Sequence, residues 1–310
     1  VIVIWGLGII ALLVVSFMTT ARLRMQASNN IAGAAQADEL AQAAINLGIM
    51  SLSNERQVAQ QPPQQTPGTL PVPSGPPQRV IHGGEPRVCG IAGAVLAVVI
   101  EDEGGKVDIN GASQALIKAM LMGFGVGMSD ADMAANAIVA FRTAPGSVAQ
   151  APNLGPGINP RTKQALFQTV FELDQVEGLE PSLVRDILPF VTVHSRRPRV
   201  DAETSSPALF AALAGYKPAD VYALRMEPFP NALDRADPRF PAAFKQNGDS
   251  GVFLVHAEAR ISTGQMSVRE AIVDLNQETG SLFAIRELRR GAARYTDQLR
   301  SAQYQGLPDC

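Results

Sequence analysis

The sequence predicts an α+β fold: a long amino-terminal helix, then one antiparallel sheet drawn from both ends of the remaining chain, with a block of helices inserted between its strands. Three observations predict it. Residues 1 to 53 keep a helical pattern with no proline. Runs of strand character lie at Val95 to Ile100 and again from Gly251 onward. Between them, helix-start residues recur ahead of apolar stretches.

The first element sets the compartment. Val1 to Ala21 carries no charged residue, and VIVIWGLGIIALLVVSFM is about long enough for a helix to cross a hydrocarbon core of roughly 30 Å. A signal-peptide reading lacks both a basic stretch ahead of the apolar run and a small-residue cleavage site behind it. Residues 1–21 are therefore expected to form a transmembrane helix that continues unbroken over 22–56. A first residue other than Met is read as the loss of residues ahead of Val1, either by processing or by deliberate truncation. Arg22 and Arg24 lie on one flank only and do not fix the orientation. In the continuation, Ile31, Ala34, Ala35, Leu40, Ala43, Ala44, Leu47 and Met50 fall near helical spacing opposite Asp38, Glu39, Gln42 and Asn46, which predicts a packing face. Its partner is either the chain's own globular part or a neighbouring subunit.

Residues 57–80 include QQPPQQTPGTLPVPSGPPQ, too rich in Pro, Gln and Gly to bury a core, and read as a loop. From Val88 to Asn110 two or three strands are expected, with Gly104 and Gly105 at a turn and a short strand at Lys106 to Ile109. Helices are expected at Gln114–Phe124, Asp130–Phe141, Lys163–Glu172, Pro181–Leu188 and Pro207–Ala214, with Ser113, Ser129 and Ser206 as N-caps. Strands return at Val221–Met226, Gly251–Ile261, Ser267–Leu275 and Leu282–Leu288. Phe253, Val255, Ala257 and Ala259 alternate there with His256, Glu258 and Arg260, the pattern of a half-buried strand. The expected division is thus a sheet domain from 81–110 and 216–290, a helical insert at 111–215 and a tail at 291–310.

Composition and motifs exclude several function classes. With 26 Lys plus Arg against 29 Asp plus Glu, nothing marks a nucleic-acid footprint. Cys89 and Cys310 lack the spacing of a zinc or dithiol site, and whether they pair is left open by sequence. His82, His194 and His256 show no ligand spacing and are read as ordinary histidines. No serine sits in a nucleophile elbow, so no catalytic residue is assigned. Gly123, Gly125 and Gly127 follow a helix rather than a strand and read as an interhelical turn. Glu101, Asp102, Glu103 and Asp108 lack the spacing of a calcium loop and are expected at a solvated hairpin turn. The stretch Glu172 to Leu179 looks like a helix-hairpin-helix, but Asp174, Glu177 and Glu180 would repel a phosphate, so it is architecture without a DNA role.

Taken in order, several stretches resemble the K component of the general secretion pathway, a minor pseudopilin family of type II secretion. The apolar start with Trp5 running into Thr20-Ala21-Arg22 looks like its prepilin-type anchor. Ile100 to Asn110 resembles its strand, turn and entry to the helical insert. Phe171-Glu172-Leu173 with Val176 and Gly178, then Leu188 to Val193, is similar to its second helical hairpin; Asp201 to Leu213 and Ala257-Glu258-Ala259 also fit. The resemblance implies a pilin-like domain carrying a tandem helix-hairpin-helix, SAM-like insert. It further implies a single inner-membrane pass with the globular part in the periplasm, processing by a prepilin peptidase with N-terminal methylation, and a non-enzymatic assembly role. The implied partners are I- and J-type minor pseudopilins at a pseudopilus tip, together with inner membrane lipid. No carboxylate occurs from Val1 to Ala37, where major pseudopilins carry a glutamate that neutralises the amine of a neighbouring subunit; this absence is read as favouring the tip. Calcium, held by some members, gets no ligands here: Ala140 to Pro145 replaces an acidic Trp-Arg segment, and Gly146 to Pro160 is poor in carboxylates. No other cofactor is implied. A membrane-tethered module that binds an exported protein or cell wall is the alternative function, and an anchored DNA-uptake protein a weaker third.

Overall fold

The computed structural model describes residues 2–60, 84–91, 93–143, 163–225, 233–276, 282–302 and 306–310. Helix α1 (Ile2–Gln60) is continuous, as an Ala- and Leu-rich run free of proline should be. The expected 57–80 loop lies almost wholly outside the described residues.

One antiparallel sheet has the order β1 (Arg87–Ile91), β2 (Ala94–Asp102), β5 (Val252–Arg260), β6 (Met266–Asp274), β7 (Ala284–Arg290). Sequence-distant β2 and β5 are direct neighbours, with Asp102 opposite Phe253. The whole segment between them therefore leaves and returns at one end of a strand pair. α1 lies on one sheet face. Ala41, Ala44, Ile45, Ile49 and Leu52 pack there on Leu96, Val255, Ala257, Ala271 and Val273.

The buried stripe of α1 differs from the expected one. Ala44 is buried and Leu40 half-buried, but Ile31, Ala34, Ala35 and Met50 are exposed, and the true face adds Gly33, Ala37, Ala41, Gly48 and Ile49. Close approach to a flat sheet selects the smallest side chains, so glycine, which an apolar pattern search discards, marks the contact line. Asp38, expected on the solvent side, sits at the margin and binds Arg269 of β6, with Nε donating to Oδ1 at 2.8 Å.

Between β2 and β5 come β3 (Val107–Asp108), α2 (Gln114–Gly123), α3 (Met128–Arg142), α4 (Pro181–Ile187), β4 (Val191–Thr192), α5 (Pro207–Leu213) and α6 (Pro218–Leu224). They share one apolar cluster that includes Val107, Leu116, Ile138, Ile187, Phe210, Val221 and Phe240. β3 pairs in parallel with β4, away from the main sheet. Ser113 and Ser206 cap α2 and α5 as expected, accepting from the N–H groups of Leu116 and Leu209. Ser129 does not: Gly127 stands at the start of α3 and Ser129 lies within the helix.

Two expected elements are corrected. Lys163–Glu172 is no α-helix; Gln164 has φ 50°, and the Asn110 side chain bonds both the N–H and the C=O of Phe167, so the backbone is committed elsewhere. A 3-10 turn follows at Val170–Gln175. Val221–Met226 is no strand: Pro218 at the first helical position and Asp220 in the first turn start α6, and Met226 lies outside the described residues. Because Val221 and Phe240 join the helical cluster, packing changes near β5 and not at the expected 215/216 boundary.

The expected tail is also structured. α7 (Thr296–Ser301) buries Leu299 against Val95 and Ala97, on the sheet face opposite α1. The terminus then runs beside β1, where the Gly90 N–H donates to Pro308 O at 2.9 Å and Cys310 is disulfide-bonded to Cys89.

Candidate functional site

Two features stand out, and neither is a catalytic constellation. The first is the amino-terminal part of α1. Val3, Ile4, Trp5, Leu7, Leu12, Leu13, Val15, Phe17 and Met18 are all exposed, and this part of the helix has a mean hydropathy of 2.2 with none of it buried by the rest of the chain. It is long and apolar enough to cross a membrane.

The second is a layer of charge on the sheet face away from α1. Antiparallel register puts Val99, His256, Glu270 and Arg289 in one row across β2, β5, β6 and β7. His256 is fully buried, its Nδ1 2.9 Å from Glu270 Oε1 and its Nε2 2.9 Å from Glu258 Oε1. Arg289 Nε donates to Glu270 Oε2 at 2.8 Å. Arg294, just past β7, donates from Nη1 to Glu101 Oε1 at 2.7 Å and from Nη2 to Glu270 Oε1 at 3.3 Å. The Arg294 and Tyr295 N–H groups both donate to Glu258 Oε1.

Burial works against the charged His256 ring, but its hydrogen bonds to Glu258 and Glu270 outweigh it and raise the pKa above 6.5. Burial likewise works to raise the Glu270 carboxyl, yet His256, Arg289 and Arg294 together hold it well below the carboxylate range. Tyr295 is pushed up to about 12, chiefly by burial and then by the Glu101 charge. The cluster is an ion-pair latch that ties four strands to residues 291–295. Both His256 ring nitrogens face carboxylates, so the imidazole has no open side toward a substrate.

This layer overturns the half-buried reading of β5, which is buried along eight of its nine residues. His256 and Glu258 do alternate with apolar residues, but α7 and Arg294 cover the polar face. Sequence shows the alternation; it does not show which later residues return to roof it.

His194 approaches Glu287 at 3.4 Å, and His82 lies outside the described residues. Gly123, Gly125 and Gly127 do join α2 to α3, with Gly125 at φ +92°. The Glu172–Leu179 hairpin has a 3-10 turn as its first arm, Gly178 at φ +87° in its corner and α4 as its second.

The acidic group at the end of β2 is not a solvated hairpin turn. Asp102, Glu103 and Asp108 are buried. Asp102 accepts from Gly104 N–H at 2.7 Å and from Ser250 N–H at 3.2 Å. Asp108 accepts from the Asn110 and Gly111 N–H groups at 2.8 and 3.0 Å and from the Arg196 N–H at 2.6 Å. Burial pushes both carboxyls up, against those hydrogen bonds. Glu103 takes Lys106 at 2.6 Å, and Glu101 takes Arg294. Oxygens committed to protein donors do not fit a calcium ion, which needs six to eight of them. Among the described residues no three His, Cys, Asp or Glu side chains are grouped to hold a metal. The Gly146 to Pro160 tract lies outside the described residues.

No protein-family model matches the sequence, and no curated protein matches it. Among solved structures, the chain is similar to the crystal structure of the GspK-GspI-GspJ complex from the enterotoxigenic Escherichia coli type 2 secretion system, with a TM-score of 0.51 and 14% identity over 88% of this chain and 100% of that one. The architecture described above, a long apolar helix seated on an antiparallel sheet with added helices, is thus a pilin-like α+β fold.

Proposed function

We propose that this chain is a K-type minor pseudopilin: a single-pass inner-membrane subunit with its globular part in the periplasm, assembled with I- and J-type partners at the tip of a type II secretion pseudopilus. The observation that carries the reading is the division of labour within α1, whose apolar first half has no cover while its second half is seated on the sheet of a pilin-like fold. Such a subunit works by packing and position, without bond chemistry. The helical block supports the tip placement, because its bulk at one end of the β2–β5 pair would obstruct a further globular domain stacked above it.

Three measurements test the reading. Co-purification from membranes should bring down other prepilin-like subunits; capture of an exported protein alone would favour the tethered binding module instead. Protease added to spheroplasts should cut the chain after Gln57, and full protection with an intact inner membrane would overturn the topology. Quantitative labelling should find the protein at filament ends; amounts along the shaft comparable with the major subunit would overturn the tip.

A further inference from the structure

Asn110 and Asn247 are each followed by glycine. Such a pair is open to attack of the glycine's backbone nitrogen on the asparagine side-chain amide, because glycine brings no β-carbon to hinder the approach. The fold treats the two pairs in opposite ways.

Asn110 and Gly111 are locked at the entry to the helical block. Asn110 Oδ1 accepts from the Phe167 N–H at 2.8 Å, and its Nδ2 donates to Phe167 O at 2.9 Å. The nitrogen that would attack is engaged too: the Gly111 N–H donates to Asp108 O at 3.1 Å and to Asp108 Oδ1 at 3.0 Å. A β-carbon at position 111 would stand 2.7 Å from Arg197 O, so the backbone there has no room to turn.

Asn247 and Gly248 lie where the chain returns from the helical block to β5. Asn247 is exposed and outside helix and strand, and its side chain makes no hydrogen bond among the described residues. The Gly248 N–H likewise has no acceptor among them, and a β-carbon at position 248 would meet nothing within 4 Å. What is held lies just beyond the pair. Arg197 donates from Nη1 to Gly248 O at 2.7 Å and from Nη2 to Asp249 O, and Ser250 gives its N–H and hydroxyl to buried Asp102.

We infer that Asn247 is a site of spontaneous deamidation through a cyclic imide with Gly248, and that the fold protects Asn110 from the same reaction. The Gly248 nitrogen, its proton taken by base, attacks Asn247 Cγ; the N–Cγ bond forms, the Cγ–Nδ2 bond breaks, and Nδ2 leaves with a proton from water as ammonia. Water then opens the imide at either carbonyl, leaving aspartate or isoaspartate. Isoaspartate adds a methylene to the main chain directly ahead of the carbonyls that Arg197 holds, so it loosens the joint between the helical block and β5. The inference does not depend on the pseudopilus reading.

The test ages the full chain in detergent in mildly alkaline buffer and follows tryptic peptides 107–118 and 246–260 by mass spectrometry. The acid form should build up in 246–260 at least about tenfold faster than in 107–118, since Asn110 reacts only after its own hydrogen bonds and those of Gly111 open. Isoaspartate should be among the products. In concentrated urea the two peptides should convert at similar rates, because both pairs are then equally free. The aged chain should unfold at a lower urea concentration than the Asn247→Asp variant, which carries the new charge without the longer backbone. Equal rates in the folded chain, no acid form in 246–260, aspartate without isoaspartate, or protection of 107–118 that persists in urea would each overturn the site assignment. Equal unfolding midpoints for the aged chain and Asn247→Asp would overturn the loosening of the joint.

Discussion

Gly48 of α1 lies so close to Val255 of β5 that a β-carbon at position 48 would stand 2.6 Å from Val255 Cγ1. No real side chain contact is that short, so the helix would have to lift. Gly48→Ala gains up to about 1 kcal/mol of helix propensity but overpacks a tight contact, which costs about 1–3 kcal/mol. The expected result is a net loss of about 1–2 kcal/mol in urea unfolding of the full chain in detergent. An unchanged midpoint would mean that α1 is not seated on Val255.

The His256 latch gives stability a pH profile. Because the His256 pKa is raised in the fold, the native state holds that proton more tightly than the unfolded one. Its contribution is full below about pH 6.5 and fades as pH rises through the folded value. Glu258 and Glu270 are held low, so theirs is full above the ordinary carboxylate range and fades as pH falls through their folded values. Glu101, Arg289 and Arg294 keep their charge throughout the neutral range and do not reverse either slope. Stability should therefore peak in mildly acidic to neutral solution and decline from about pH 7 to 9. His256→Gln should lose about 3–5 kcal/mol at pH 6, as for a broken buried pair, and show no alkaline decline. Parallel pH profiles for the two proteins would dissociate His256 from the effect.

How much of this was legible in the sequence depends on the range of the interactions. Local signals read true: Ser113 and Ser206 cap helices, the glycines at 123–127 turn, and the strands from Val252 onward lie where branched residues cluster. The run Val221–Met226 misled because six residues of mixed character fit either period, and Pro218 at the helix start decided it. Lys163–Glu172 failed because a side chain far away in sequence, Asn110, claims the Phe167 backbone. The buried charge layer was hidden for the same reason. Nothing near His256 says that Arg294, arriving after two further strands, will close over it.

The Cys89–Cys310 disulfide closes a loop with a sequence separation of 221 and holds the last residues on the β1 edge. Removing it with a double serine substitution should cost about 2–4 kcal/mol. The local effect should be larger than the global one, since Leu299 and the Arg260 bonds to the α7 carbonyls would then hold the segment without a covalent tie. Trypsin should cut after Arg300 sooner in the variant than in the parent. Equal cleavage rates and equal melting would show that α7 is held without help from the disulfide.

The helical block should be removable at one place in the chain. The apolar cluster under α1 draws on no residue between 103 and 252, and the helical cluster, with the half-buried residues packed on it, draws only on residues from Val107 to Phe244. The two cores are thus separable in sequence at the end of the β2–β5 pair, where Asp102 faces Phe253. Replacing residues 103–252 with Asn-Gly would turn that pair into a two-residue hairpin of the favoured type. Asp102 should be changed to Thr in the same molecule, because it would otherwise lose the Gly104 and Ser250 N–H groups that satisfy its carboxylate. Lost as well are the contacts of His194 with Glu287 and of Phe171 with Arg289, both partly exposed and worth about 1 kcal/mol or less each. The shortened chain should keep a single cooperative unfolding transition at a lower midpoint. Joining Asn110 to Lys217 instead would strand Val107, Val221 and Phe240 without the helices they pack on, and should give a broad transition or aggregation. If the second deletion unfolds cooperatively and the first does not, the division of the chain at the β2–β5 end is wrong.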